Sequence, residues 1–428
     1  MKKPKVLMLG WEFPPIINGG LGVACLGLSK ALSEHADLTM IIPRSSADFR
    51  VNNVELIGLN NLDIEGFKHS GSGILYEGFS KVNEIATDIL PYKSSSYDLE
   101  ILSEEKRKKI IHKQEIDRLK NIFKSGELYG DDVRDKVMEF ARQAKLIALS
   151  KDFDVIHCHD WMTFPAGVEI QAMTGKPLIL HVHSLEYDRA GASSRSWVYE
   201  LERWAMEQAN VIIPVSQYTG NVAQYHYGVD PGKIFPIHNG TEYVKAFREK
   251  KSFPENLVLF LGRLTEQKGP EFFLEIADRV VKNDNKVRFV MAGTGDRLKK
   301  LIETGAFRQL GNKVHFTGFL NKEKVHKLYA LSDVYCMPSV SEPFGLSALE
   351  AAQFGVPCVI SKQSGVAEVL NGSLKADYWD VFKMGDHISS VLENKRLKNK
   401  LVKEAFKNLE ECTWEKAALK VRHVYDAV

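Results

Sequence analysis

The sequence has few cysteines, no closely spaced pair of cysteines and no long apolar run. Its five cysteines, at positions 25, 158, 336, 358 and 412, are odd in number and widely spaced, so we expect buried, reduced thiols. No stretch reaches the roughly 18 apolar residues that a membrane span needs, so any membrane contact would be peripheral. The first residues lack the apolar region of a secretory signal, and we therefore expect a cytoplasmic protein.

An excess of either sign of charge is also missing. The 57 Lys and Arg residues offset 55 Asp and Glu residues, leaving a formal net charge of +2. No overall field therefore recruits nucleic acid, and any partner must be recognised locally. The composition, with 44% apolar residues, excludes a collagen-like or largely disordered chain. The 428 residues are too many for one compact core and suggest two or three domains.

Short apolar runs rich in Val, Ile and Leu alternate with longer helical patterns. This alternation predicts βαβ units around parallel sheets, which is an α/β fold. The predicted strands form two successive series, and each series can build its own doubly wound sheet. The first series comprises residues 6–9, 38–42, 155–156, 178–181 and 211–215, and the second comprises 257–261, 287–291, 314–316, 334–337 and 356–360.

The two series predict two domains of similar size. We place the N-terminal domain at residues 1–238 and the C-terminal domain at 239–410, with the linker near 236–253. Residues 44–150 interrupt the first series as an insert. Within the insert, residues 103–124 predict a basic amphipathic helix. Such a helix either packs on the first domain or presents a surface to an acceptor or an anionic membrane.

Three glycines, Gly19, Gly20 and Gly22, stand where the first helix is predicted to begin. Glycine lets backbone N–H groups approach an anion closely, and a helix N-terminus adds partial positive charge, so a diphosphate would fit. The alternative is a turn that only packs helix against strand. A dinucleotide fingerprint is disfavoured because the spacing is wrong and no acidic residue ends the second strand.

The second series carries charged residues after the ends of two of its strands. Arg263 and Lys268 follow strand 257–261, where ligands of open α/β sheets bind, and both can neutralise a diphosphate. After strand 334–337, Glu342 can accept hydrogen bonds from sugar hydroxyls, and Glu350 can hold ribose hydroxyls. The N–H groups of the next helix start are further phosphate ligands, contributed by Gly345, Leu346 and Ser347.

Together these residues resemble the retaining, nucleotide-sugar-dependent glycosyltransferases of the GT-B fold, in particular family four and the glycogen and starch synthases. The most specific element is the E-x7-E pattern from Glu342 to Glu350, reinforced by Gly262-Arg263-Leu264 with Lys268-Gly269 and by Cys412-Thr413-Trp414-Glu415. The resemblance implies two Rossmann-like doubly wound domains with an interdomain cleft. It also implies that a last helix, residues 411–428, crosses back onto the first domain.

The resemblance assigns roles to the candidate residues. It implies that Gly20 and its loop contact the donor diphosphate from one domain, while Arg263 and Lys268 contact it from the other. It places Glu342 at the donor sugar and Glu350 at the ribose. It further implies that His183 lies beside the sugar, that Asp160 is an active-site acid, and that the nucleobase is bound by Gly318, Phe319 and Leu320. The implied donor is a UDP- or ADP-hexose, with no cofactor and no metal.

The function that follows is retaining transfer of a hexosyl group to a carbohydrate acceptor such as an α-glucan. Glycogen synthases usually carry Lys-x-Gly-Gly-Leu in the first loop, whereas residues 16–21 here read Ile-Ile-Asn-Gly-Gly-Leu. The missing lysine leaves a lipid or small-molecule acceptor open. From another class, a metal-dependent hydrolase would use the histidines at positions 157, 159, 181 and 183. Such a hydrolase would leave the phosphate-type loops without a role.

Overall fold

The computed structural model describes residues 2–17, 19–46, 48–64, 118–247 and 249–428. Within these ranges the chain forms two six-stranded sheets with helices between the strands. All strand pairs in both sheets are parallel, as the βαβ pattern predicts. The doubly wound α/β architecture expected from the sequence is therefore present.

The first sheet has the strand order β3-β2-β1-β4-β5-β6. Its strands are β1 (Lys5–Leu9), β2 (Asp37–Ile42), β3 (Val54–Gly58), β4 (Val155–His159), β5 (Leu178–Val182) and β6 (Val211–Pro214). The helices along this half are α1 (Gly20–Leu32), α2 (Val133–Ala148), α3 (Phe164–Thr174), α4 (Glu186–Ala190), α5 (Trp197–Gln208) and α6 (Gln217–Tyr227).

The second sheet has the strand order β12-β11-β10-β7-β8-β9. Its strands are β7 (Asn256–Leu261), β8 (Val287–Ala292), β9 (Val314–Gly318), β10 (Val334–Met337), β11 (Cys358–Ser361) and β12 (Ser373–Ala376). The helices along this half are α7 (Pro270–Asn283), α8 (Leu298–Phe307), α9 (Lys322–Leu331), α10 (Leu346–Gln353), α11 (Val366–Val369), α12 (Val381–Glu393), α13 (Lys395–Glu411) and α14 (Trp414–Ala427).

All ten predicted strands are present, with ends that differ by up to three residues. The sequence reading missed β3 and β12, which are edge strands of the two sheets. Edge strands are paired on one side only and tolerate polar residues such as Glu55 and Lys375, so their apolar patterns are weak. Both sheets are consequently one strand wider than predicted.

The helix predicted at residues 103–124 lies mostly outside the described residues. At its described end, residues 118–124, the prediction is wrong because this segment is irregular. Leu119 and Phe123 are buried in the core, and the backbone N–H of Lys120 donates to Oε1 of Glu139 in α2 at 2.8 Å. These contacts with α2 fix the segment in a non-helical path.

The last helix, α14, packs on α1 of the first half, as the resemblance implied. Trp414, Ala418, Val421 and Tyr425 join the hydrophobic cluster that also contains Cys25 and Leu28 of α1. The two helices meet so closely at Gly27 that a methyl group there would lie 2.3 Å from the indole of Trp414. The C-terminal helix therefore ties the end of the chain to the first sheet.

All five cysteines are free and buried, as expected. Among the described residues, none of the helices combines the length and the apolar composition that crossing a bilayer requires.

Candidate active site

Loops from both sheets meet in a cleft and are joined there by hydrogen bonds. The hydroxyl of Ser216, before α6, donates to the carbonyl of Pro343 at 2.6 Å. The Tyr218 hydroxyl lies 2.8 Å from Oγ of Ser341, and Ser341 in turn donates to Asp188 of α4. These bonds hold the loop after β10 against helices of the first half.

The glycine loop brings a helix N-terminus to this cleft. Helix α1 begins at Gly20, and no acidic side chain lies in its first turn. The first N–H groups of a helix have no partner within it, so they are available to an anion. A methyl group on Gly20 would lie 4.0 Å from Cδ1 of Leu346, at the start of α10 in the other half. Two helix N-termini from opposite halves are thus close together.

Gly22 serves the packing role that was the alternative interpretation of this loop. A methyl group there would lie 3.0 Å from Cγ1 of Ile17 and 3.2 Å from Cβ of Glu12. Gly22 therefore lets the loop pack tightly, whereas Gly20 is open towards the cleft.

The loop after β7 supplies the cations. Lys268 donates from Nζ to Oε2 of Glu342 at 2.6 Å, and the carboxylate is the more buried partner. Arg263 is exposed. It is close enough to Tyr129 to lower the pKa of that phenol, although burial and Glu12 together raise this pKa. Within the described part of the chain, Arg263 forms no ion pair, so its guanidinium is available to a ligand.

The loop after β10 holds Glu342 through its backbone. The N–H of Glu342 donates to the carbonyl of Gln363 at 2.9 Å, and its carbonyl accepts from Gly365 at 2.9 Å. Gly345 precedes α10 with φ of +106°, a left-handed conformation that favours glycine. It leaves the N–H groups of Leu346 and Ser347 at the open end of α10.

Glu350 lies further along α10 and is partly buried. Its Oε2 accepts a hydrogen bond from the Tyr329 hydroxyl at 3.0 Å, and its burial raises its pKa. The predicted ribose contact is therefore a carboxylate that a neighbouring tyrosine already orients.

The predicted nucleobase contacts comprise the last residue of β9, Gly318, and the two residues that follow it. The carbonyl of Gly318 accepts from the N–H of Gly293 at 2.9 Å, and Gly293 in turn packs directly on the carbonyl of Gly262. Glycines thus bring together the loops after β7, β8 and β9. Phe319 is 80% exposed beside them, and Leu320 is partly buried.

Four histidines form a stack at the ends of β4 and β5. The ring centroids of His157 and His159 are 4.5 Å apart, as are those of His181 and His183. Nε2 of His157 lies 3.2 Å from Nδ1 of His181, and Nδ1 of His159 lies 2.9 Å from Nε2 of His183. Burial lowers the pKa of His157 and of His183 to about 3, so both rings are neutral near pH 7.

This stack also offers donor atoms suited to a metal ion. One atom each from Cys25, His159 and His183 lie within 4.8 Å of one another, and the same holds for His157, His159 and His181. Neutral imidazole and thiolate are ligands that zinc accepts. Here the rings hydrogen-bond in pairs, and His157 also bonds to Tyr425 of α14.

Asp160 follows the stack in an unusual backbone conformation. Its φ is +62°, which is uncommon for a residue other than glycine and often marks a functional site. Oδ1 accepts from the N–H of His183 at 2.7 Å and of Ser184 at 3.2 Å. Burial raises the pKa of Asp160 to about 7, and Arg189 is the largest opposing influence. The predicted acid and the predicted sugar-side histidine are therefore joined through the backbone.

Sequence reasoning missed Glu12, Tyr129 and Arg189. The Tyr129 hydroxyl donates to Glu12, and Tyr129 comes from the insert, whose spacing carries no recognisable motif. Arg189 donates to Glu202 at 2.6 Å and to the Ser184 hydroxyl at 2.7 Å. The roles of Asp188 and Arg189 have no signal in the sequence, because they depend on Glu202, which is 13 residues from Arg189, and on Ser341 in the other half.

Comparison with known proteins identifies the family. The family model of group 1 glycosyl transferases matches residues 244–408, and the model of glycosyltransferase family 4 matches residues 101–243. Together they cover more than two thirds of the chain. The chain belongs to the group 1 glycosyltransferases. This membership identifies it as an enzyme that transfers a sugar, which confirms the predicted family and the general activity of a glycosyltransferase.

Relatives of this family align along almost the whole chain. An uncharacterized glycosyltransferase of Methanocaldococcus jannaschii is 26% identical, covering 98% of this chain and 97% of the relative. A glycogen synthase of Mycobacterium tuberculosis is 23% identical, covering 98% and 94%. The catalytic domain of starch synthase IV from Arabidopsis thaliana, solved with ADP and acarbose, has a TM-score of 0.69 at 17% identity, covering 100% and 99%. The last comparison confirms the GT-B fold.

The structure thus places the predicted residues in relation to one another. The open end of α1, the cations after β7 and the open end of α10 surround one part of the cleft. Asp160 and His183 lie on the side of the first sheet. Gly318 and Phe319 lie towards the β9 edge of the second sheet.

Proposed function

We propose that this glycosyltransferase moves a hexosyl group from a nucleoside-diphosphate sugar to an α-glucan, with retention of the anomeric configuration. The observation that carries the proposal is the convergence of positive groups from both halves. A methyl group on Gly20, at the α1 N-terminus, would lie 4.0 Å from Cδ1 of Leu346, the first residue of α10. The side chains of Arg263 and Lys268 come from the loop after β7, in the second sheet.

These groups suit a leaving diphosphate. As the glycosidic bond of the donor breaks, negative charge grows on the diphosphate, and fixed cations and N–H groups stabilise it. Lys268 now neutralises Glu342 and would share its charge with the phosphate when the donor binds. Because two cationic side chains and two helix N-termini serve this purpose, we propose that transfer needs no divalent metal ion.

We propose that the anomeric configuration is retained because the substitution takes place on one face of the sugar. The acceptor oxygen bonds to the anomeric carbon on the face that the diphosphate leaves, and the acceptor proton passes to the departing phosphate oxygen. The two carboxylates that we place beside the donor sugar are already engaged, Glu342 by Lys268 and Asp160 by two backbone N–H groups. They therefore orient groups around the sugar instead of forming a covalent glycosyl-enzyme.

The α-glucan acceptor is supported by the relatives. The glycogen synthase aligns over nearly the whole of both chains, and the starch synthase shares the fold. Closure of the cleft around donor and acceptor would exclude water and so favour transfer over hydrolysis.

A two-stage experiment tests the proposal. A thermal-shift screen of UDP, ADP, GDP, UDP-glucose and ADP-glucose should show stabilisation by one nucleotide, since a ligand that binds the folded state raises its stability. The stabilising donor, incubated with maltoheptaose and EDTA, should then lengthen the glucan with an α-linkage that NMR identifies. Donor hydrolysis without elongation, or transfer only to a lipid or small molecule, would refute the α-glucan assignment. Loss of transfer in EDTA would refute the metal-free mechanism.

A further inference from the structure

An exposed aromatic patch lies at the same edge of the second sheet as the candidate site. It consists of Phe272, Tyr378, Trp379 and Phe382, and we call it the aromatic platform. Trp379 is 59% exposed and Phe382 is 63% exposed. All six tryptophans lie within the described residues, and Trp379 alone among them is exposed. A cluster of large, exposed aromatic side chains often marks a binding surface.

The platform is held rigidly from below. Phe272 and Tyr378 meet edge to face at 5.0 Å between ring centroids, and Tyr378 meets Trp379 at 4.8 Å. The guanidinium of Arg279 lies 4.4 Å from the ring centroid of Phe382 and pairs with Asp386 at 2.9 Å. Rings fixed in this way bind a ligand at low entropic cost.

Backbone and side-chain contacts make the platform continuous with the candidate active site. Phe272 lies in the first turn of α7, four residues after Lys268. Gln363 accepts from the N–H of Glu342 with its carbonyl at 2.9 Å, and its side chain donates to Asp377 at 2.9 Å. Its Oε1 also accepts from the N–H of Tyr378 at 3.3 Å. One residue therefore connects the loop of Glu342 to the platform.

The platform also faces the first half across the cleft. Helix α4 contacts the turn Glu266–Lys268, and its Tyr187, whose pKa is raised mainly by burial, is close enough to Tyr378 for that residue to contribute to the shift. A chain that leaves the space between Asp160 and Glu342 on this side would therefore meet Tyr378 and then Trp379.

The charges around the platform favour a neutral, hydroxyl-rich ligand. Arg279 pairs with Asp386 at 2.9 Å, and Asp380 accepts a hydrogen bond from the backbone N–H of Lys383 at 3.0 Å. Lys362 pairs with Asp377 at 3.0 Å. A surface for anionic lipid would carry an excess of positive charge. Aromatic faces beside paired hydrogen-bonding groups instead match the apolar faces and hydroxyl edges of sugar rings.

We propose that the aromatic platform binds the extended part of an α-glucan acceptor, outside the residues that carry out transfer. This inference rests on the proposed function for the identity of the acceptor. The glucan chain would lie on Trp379 and Phe382 while its growing end reaches the cleft between Asp160 and Glu342. The platform would thus retain the polymer between successive additions.

The fluorescence of Trp379 can report ligand binding, because Trp379 is the one exposed residue among the six tryptophans. Titration of the full chain with maltoheptaose, without donor, should change the tryptophan fluorescence in a saturable way. Phe382→Ser should weaken the apparent affinity by about fivefold to tenfold while keeping the reporter in place. Phe307→Ser removes a similar ring, 87% exposed on α8 and outside the platform, and should leave the titration unchanged.

Three results would overturn the platform assignment. The first is that maltoheptaose causes no change in fluorescence. The second is a change that Phe382→Ser and Phe307→Ser affect equally. The third is a response to vesicles of phosphatidylglycerol and phosphatidylcholine in place of a response to the glucan. Because no donor is present, the outcome is separate from that of the transfer assay. Glucan binding without nucleotide binding would refute the proposed function, whereas elongation without a Trp379 response would refute the platform.

Discussion

At the scale of single residues, the Lys268–Glu342 pair concentrates the chemistry of the candidate site. The pair is short, at 2.6 Å, and Glu342 is mostly buried. Lys268→Ala should reduce turnover at least about a hundredfold, because one lost charge-stabilising donor typically costs that much. Steady-state kinetics with the identified donor measures the effect, and circular dichroism checks the fold.

Lys282→Ala is the matched control for Lys268→Ala. Lys282 also pairs with a carboxylate, Asp278 at 3.0 Å on α7, but its side chain is exposed. Its loss should leave turnover near that of the native enzyme. Near-native turnover of Lys268→Ala would remove this lysine from the mechanism.

Asp160 predicts a dependence of stability on pH. Burial raises its pKa from 3.8 to about 7. A carboxyl group whose pKa is raised by folding costs the folded state free energy when it ionises. This cost is absent below the unfolded pKa and reaches its full value once the pH has passed the folded pKa. Asp160→Asn keeps an oxygen acceptor but cannot ionise. Its melting temperature relative to the native protein should therefore rise between about pH 4 and pH 7 and stay level above.

Differential scanning fluorimetry over this pH range measures both proteins. Asp135→Asn, which removes an exposed carboxylate on α2, controls for the loss of one charge. If the difference in melting temperature between the native protein and Asp160→Asn stays constant over this pH range, Asp160 is not a buried acid with a raised pKa. The difference between two proteins is used because the buried histidines oppose this trend: burial lowers their pKa, so acidification destabilises the fold.

At the scale of elements, the junction of α1 and α14 depends on one glycine. A side chain at Gly27 would overlap the Trp414 indole, so Gly27→Ala must displace α14. Overpacking of this kind costs about 1–3 kcal/mol, and the melting temperature should fall. Gly305→Ala, on α8, meets only Cδ1 of Leu274 at 3.8 Å and should be neutral or slightly stabilising. Equal effects of the two substitutions in thermal unfolding would contradict the close packing.

How well the sequence predicted a strand or loop depended on how deeply that element is buried. Strands such as β1 and β7 are continuous apolar runs because both faces of the sheet are covered, and the sequence reveals them. The edge strands β3 and β12 have mixed composition and were missed. The motif-bearing loops after β7 and β10 were found because several residue types coincide within each. Tyr129 and Arg189 could not be found, because their roles arise from contacts with Glu12 and Glu202 that spacing does not encode.

At the scale of the whole molecule, the two halves are joined at several separate places. Glu368 of α11 accepts from the N–H groups of Gln217 and Tyr218 at 2.9 and 2.7 Å and lies 2.6 Å from Nε2 of His238. The segment around Thr241 bonds to Cys412, just before α14. These links join α6 and the segment before β7 to α11 and to the start of α14.

The central claim is that opposite halves of the molecule jointly bind one diphosphate. A crystal structure of the enzyme with the nucleoside diphosphate found in the thermal-shift screen tests this most directly. We predict that the phosphates lie between the backbone N–H groups that begin α1 at Gly20 and the side chains of Arg263 and Lys268. A diphosphate bound by only one half of the molecule, or bound away from both loops, would contradict the account.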